Sequence, residues 1–74
     1  MLFPEIAKCM AIKNMNQKDL ASILSITPQS IGRKLNGKVD FRRNEMVRIK
    51  EHFKDIAPDI TMDELFKIFY PFGS

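Results

Sequence analysis

Residues 16–38 read NQKDLASILSITPQSIGRKLNGK, and their pattern decides the fold. Asn16 is a favourable N-cap, and Asp19 follows three residues on, where the acid of a capping box belongs. Met15 and Leu20 flank this start at the spacing of a hydrophobic staple. Leu20, Ala21, Ile23 and Leu24 then form one apolar stripe, leaving Gln17 and Lys18 outside in the first turn. Ser25 and Ile26 make a connection too short for anything but a sharp angle between two helices. The next helix opens with Thr27 as N-cap and Pro28 at the first helical position, where a missing N–H costs nothing. Ile31 and Leu35 are its inward pair, which places Gln29, Ser30, Gly32, Arg33 and Lys34 outward, and Asn36-Gly37 closes it. Two large apolar residues and an interior Gly, worth about 1 kcal/mol against Ala, make a helix that depends on its neighbours.

Those neighbours can be read on both sides. Pro4 starts a first helix running to about Lys13, with Phe3, Ile6, Ala7 and Met10 on one face and Asn14 as its C-terminal cap. After residue 37, Lys38 to Arg43 form a basic loop that Phe41 is expected to anchor on the core. A fourth helix is predicted from about Asn44, its N-cap, to Asp55, with Met46, Ile49, Phe53 and Ile56 inward. Ala57-Pro58-Asp59 is a turn. Thr61 and Glu64 form the T-x-x-E box of a fifth helix, stapled by Ile60 and Leu65, whose body LFKIFY runs on to end before Pro71. With no repeat and no low-complexity segment, residues 1–74 read as one all-α domain of five helices.

Composition narrows the functional classes. With 45% hydrophobic and 28% charged residues the chain is globular, neither disordered nor fibrous. At 74 residues it buries only roughly 60% of its unfolded surface, so every apolar stripe has to be used. Cys9 has no partner for a disulfide and reads as a small hydrophobe near a core edge, while His52 reads as a half-exposed helix residue. One Cys and one His fall short of a metal-ligand set, and no acid/base pair or Gly-rich phosphate loop stands out, so neither an enzyme nor a cofactor is expected. No apolar run approaches the ~20 residues of a membrane span. The N-terminus also lacks the basic and apolar regions of an export signal, so the expected compartment is the cytoplasm.

Charge is unevenly placed. The net value is +3, but residues 29–54 carry eight Lys or Arg against three acids, whereas residues 55–74 carry one Lys against four acids. A basic middle beside an acidic tail is the asymmetry of a chain with one polyanion-binding face.

The stretch Asn16 to Lys38 resembles the helix-turn-helix of the lambdoid phage repressor and Cro family. Gln17 opens the second helix, Leu20, Ala21 and Leu24 lie inside, Ile26, Ile31 and Leu35 complete the core, and Asn36-Gly37-Lys38 ends the motif. Ala21 is small because the two helices pass closest there. The resemblance implies a compact five-helix lambda-repressor-like DNA-binding domain, a phage or prophage-type transcriptional regulator that binds a two-fold related operator as a weak or DNA-assisted homodimer. Two positions depart from the family. Ser25 stands where a Gly is common, so a non-Gly residue is expected in the left-handed region. Pro28 replaces a side chain that often reaches DNA, which shifts base reading to Gln29 and Arg33. Gln pairs bidentately with adenine and Arg with guanine in the major groove. Ser30 and Lys34 are further candidates for base contact, and Asn16, Gln17, Asn36, Lys38, Arg42 and Arg43 are implied to hold the sugar-phosphate backbone. Arg48, Lys50 and Lys54 read as ordinary solvent-facing charges.

The C-terminal end offers more apolar surface than one small core needs. Leu65, Phe66, Phe69, Tyr70 and Phe72 are therefore candidates for a dimer interface, with core closure as the alternative. A rival function follows from the same residues: a protein-interaction module, such as an antitoxin or anti-repressor partner, that docks through its last helix.

Overall fold

The computed structural model describes residues 2–69, and within them the chain forms five helices and no strand. These are α1 (Pro4–Ile12), α2 (Gln17–Leu24), α3 (Pro28–Leu35), α4 (Arg43–His52) and α5 (Met62–Leu65). They pack into a body of 33 × 28 × 23 Å, and none is long and apolar enough to cross a membrane.

Local chemistry accounts for the boundaries of α2 and α3. Asn16 Oδ1 accepts from the Asp19 N–H at 2.9 Å while the Asp19 carboxylate accepts from the Asn16 N–H at 3.0 Å, which satisfies two orphan donors at the start of α2. Thr27 Oγ1 accepts from the Ser30 N–H at 3.1 Å and caps α3, with Pro28 in its first turn. Between them Ser25 takes φ 56° and ψ 40°, and the Ile26 N–H returns to the Ala21 carbonyl at 3.0 Å. That left-handed residue makes the turn sharp. A β-branched side chain fits this conformation poorly, so Ser25→Val is expected to lower stability by about 1–2 kcal/mol and Ser25→Gly to raise it by up to about 0.5 kcal/mol, read from urea midpoints.

All five helices and Phe3 supply the core. Phe3, Ile6, Cys9 and Met10 come from the N-terminal segment and α1, and Leu20, Ala21 and Leu24 come from α2. Ile31, Leu35, Ile49, Phe53 and Leu65 close it from the remaining elements. Cys9 lies inside the core, and burial, with the nearby Glu5 charge, pushes its thiol pKa up, so it behaves as a hydrophobe. Phe41 does anchor its loop, meeting Phe3 and Phe66 edge-on at centroid separations of 5.5 and 5.3 Å. Gly37 sits at φ 78°, and a Cβ there would come within 2.5 Å of Leu2, so Leu2 packs directly on the end of α3.

Three expectations require correction. α4 starts at Arg43 with Arg42 as its N-cap, because Glu45 Oε1 accepts from the Arg42 N–H at 2.8 Å and fixes the first turn earlier than Asn44. It also stops at His52 instead of Asp55. Lys13 Nζ reaches across from the end of α1 to bond the His52 carbonyl at 3.1 Å and both Asp55 oxygens at 3.0 and 2.9 Å. The Lys13 hydrogen bond holds the Asp55 carboxyl below its usual range. Finally, α5 is one turn, not the body LFKIFY. The chain leaves it at Phe66, and the Phe69 N–H donates to the Leu2 carbonyl at 2.8 Å, a tertiary partner that replaces the next helical bond.

Candidate nucleic-acid interface

α3 presents Gln29 and Arg33 to solvent, one helical turn apart on the same side. Ser30 between them is half-buried, and its hydroxyl oxygen accepts from Thr27 Oγ1 at 3.0 Å. Lys34 does not join this face. It is 7% exposed, and its ammonium donates to Glu45 at 2.7 Å and to the Asp40 carbonyl at 3.4 Å. Spacing gives the reason: Lys34 follows Ile31 by three residues and precedes Leu35, so it falls on the inward stripe, which is wider than the Ile31 and Leu35 pair alone. Burial pushes the Glu45 pKa up, but the hydrogen bonds from Lys34 and the Arg42 N–H outweigh it and leave the carboxyl below its ordinary range.

The pair forms the floor of a groove of about 310 Å³ between α3 and the following loop, walled by Ile26, Ser30, Arg33, Val39 and Arg42. Because Glu45 neutralises Lys34, the two arginines set the charge of this groove. Val39, 46% exposed, is a lining residue that patterning does not mark, since a single aliphatic in a loop has no periodicity, whereas Ile26, which the resemblance implies is part of the core, is half-buried against it and lines the groove as well.

The remaining candidates surround α3. Asn16 and Gln17 are exposed at the start of α2. A Cβ on Gly32 would lie 3.4 Å from Gln17 Oε1, so the missing side chain lets the first turn of α2 lie against the middle of α3. Asn36, Lys38, Arg42 and Arg43 are all exposed beyond the C-terminal end of α3. Among the described residues the ion pairs are Glu5–Lys8, Lys13–Asp55 and Lys34–Glu45, so Arg33, Lys38, Arg42 and Arg43 face solvent without a carboxylate partner. Asp40 is the acid nearest in sequence to Lys38 and Arg42, and Glu45, the acid nearest to Arg43, is taken up by Lys34.

At the other end the proposed dimer residues separate. Leu65 is fully buried and contributes to the core, so it is not available as an interface residue. Phe66 is half-buried against Phe3 and Phe41. Phe69 is 60% exposed, and Tyr70 and Phe72 lie outside the described residues. Compared with known proteins, the chain matches no family model, no curated protein and no solved structure.

Proposed function

We propose that α2, Ser25–Thr27 and α3 act as a helix-turn-helix of the lambda-repressor-like kind, and that the chain is a sequence-specific double-stranded DNA-binding regulator. The observation that carries this reading is the set of four cations, Arg33, Lys38, Arg42 and Arg43, that have no carboxylate partner among the described residues and lie around one exposed helix face. In this reading α3 enters the major groove and Gln29 and Arg33 meet base edges. Four residues of helix rise by about 6 Å, so the two side chains address positions roughly two base pairs apart. Asn16, Gln17, Asn36, Lys38, Arg42 and Arg43 contact phosphates and set the register. A weak or DNA-assisted homodimer on a two-fold operator of phage or prophage type would block polymerase by occupancy alone.

The test begins with an operator selected from a random DNA pool. Gln29→Ala and Arg33→Ala are each expected to lose about 1–3 kcal/mol and to relax preference at one position. Lys38→Ala and Arg43→Ala are expected to weaken all sequences alike and to reduce the salt slope by about 1. For a dimer engaging ~8 phosphates, log K falls against log salt with a slope of about −7. Unchanged affinity and base preference in both α3 variants would remove the recognition-helix assignment.

A further inference from the structure

Three surface grooves differ in their capacity to meet a copy of themselves. The groove beside α3 is dominated by Arg33 and Arg42, so two of them repel. The aromatic groove of Phe3, Phe41, Met46, Phe66 and Ile68 carries Asp40 as its charged residue, and a two-fold contact there brings like charges together. The third lies between α2 and α4 and is lined by Ile23, Val47, Arg48, Glu51 and His52. Val47 is 42% exposed, and the groove holds one full charge of each sign. Neither Arg48 nor Glu51 is ion-paired among the described residues.

On α4 these residues form two adjacent rows, Val47 with Glu51 and Arg48 with His52, each four residues apart and so on one face. A two-fold axis between the levels of Ile49 and Lys50, with two copies of α4 antiparallel, sets Arg48 opposite Glu51 of the second copy and Val47 opposite His52 of the second copy. Each pairing occurs twice, as an isologous contact demands. Glu45, which faces Lys34 and the groove beside α3, lies about 90° around the helix from the midline of Val47, Arg48, Glu51 and His52, so this contact and the α3 surface lie on adjoining sides of α4.

We propose that the α2–α4 face is a self-association surface, and that its partner is a second copy of this chain held by reciprocal Arg48–Glu51 pairs beside the two-fold axis, flanked by Val47 and Ile23. One helix face from each copy buries less than the ~1,200 Å² of a stable interface, so the dissociation constant is on the order of 0.1–1 mM. The inference does not rest on the DNA reading, and its test contains no DNA.

The experiment is sedimentation equilibrium of the full chain at pH 7.5 and low salt, up to about 2 mM, with circular dichroism to verify folding. Wild type is expected to self-associate. Arg48→Glu and Glu51→Arg, exposed and outside any intrachain ion pair, are each expected to weaken association about tenfold by setting like charges opposite one another, and the double variant is expected to restore it. Phe69→Ser is expected to leave it unchanged. A monomer at all concentrations, charge reversals without effect, a double variant no better than the singles, or loss of association in Phe69→Ser would each overturn the proposal.

Discussion

Lys34→Met is expected to remove about 3–5 kcal/mol of stability, a large share of what a 74-residue domain possesses. The side chains of Lys34 and Glu45 are each 9% exposed and meet at 2.7 Å, so water reaches the pair only from the groove that it floors and each charge depends chiefly on the other. Removing the ammonium leaves a buried carboxylate with the Arg42 N–H as its remaining donor. Lys34→Met/Glu45→Gln, which abolishes both charges and keeps an acceptor for that N–H, is expected to recover most of the loss, since replacing a buried ion pair by neutral groups is often close to neutral. Urea denaturation followed by circular dichroism measures both. If the single variant loses no more than an exposed lysine would, under about 0.5 kcal/mol, the pair is not the tie between α3 and α4 described here.

The same pair predicts the direction of a pH effect. Glu45 titrates below its ordinary value of 4.5 in the folded chain. Its contribution to stability is therefore complete above that value and is lost as pH falls through the lowered folded pKa. The double variant is expected to lack this part of the acid transition.

Phe53→Ala is expected to cost about 3–5 kcal/mol and to leave the chain largely unfolded at 37 °C. Phe53, at the end of α4, is the largest of the fully buried side chains, and its carbonyl accepts from the Ala57 N–H at 2.9 Å as the chain turns toward α5. Truncation empties the centre of a molecule that has no second core. Phe53→Leu, which refills most of the space, is expected to cost about 1.5 kcal/mol. Ile12→Ala, at a position 62% exposed, is expected to stay within about 0.5 kcal/mol of wild type. Comparable losses at Phe53 and Ile12 would contradict the burial pattern.

What the residues alone determined is local. The Asn16, Thr27 and Thr61 caps, the helix-ending Gly37 and the inward Ile31 and Leu35 are all as their sequence context predicts, and the left-handed Ser25 is as the family resemblance implies. Each depends on atoms within about four residues, where spacing and side-chain chemistry already specify the hydrogen bond or the buried face. The exposure of Gln29 and Arg33 follows from the same periodicity.

Tertiary structure decided the rest, because those features need a partner distant in the chain. Glu45 reaches back to both Lys34 and Arg42, which turns a supposed DNA-facing lysine inward and moves the start of α4. Lys13 captures the end of α4 across 39 and 42 residues of sequence. Leu2 accepts the backbone bond that draws residues 67–69 away from a continued α5. A charged residue on an inward stripe is ambiguous until its counter-ion is known, and a helix end is ambiguous until its competing acceptor is known. The proposed recognition surface was thus legible in its outline, while its floor, the lining Val39 and the neutral face between α2 and α4 emerged only once the helices were packed.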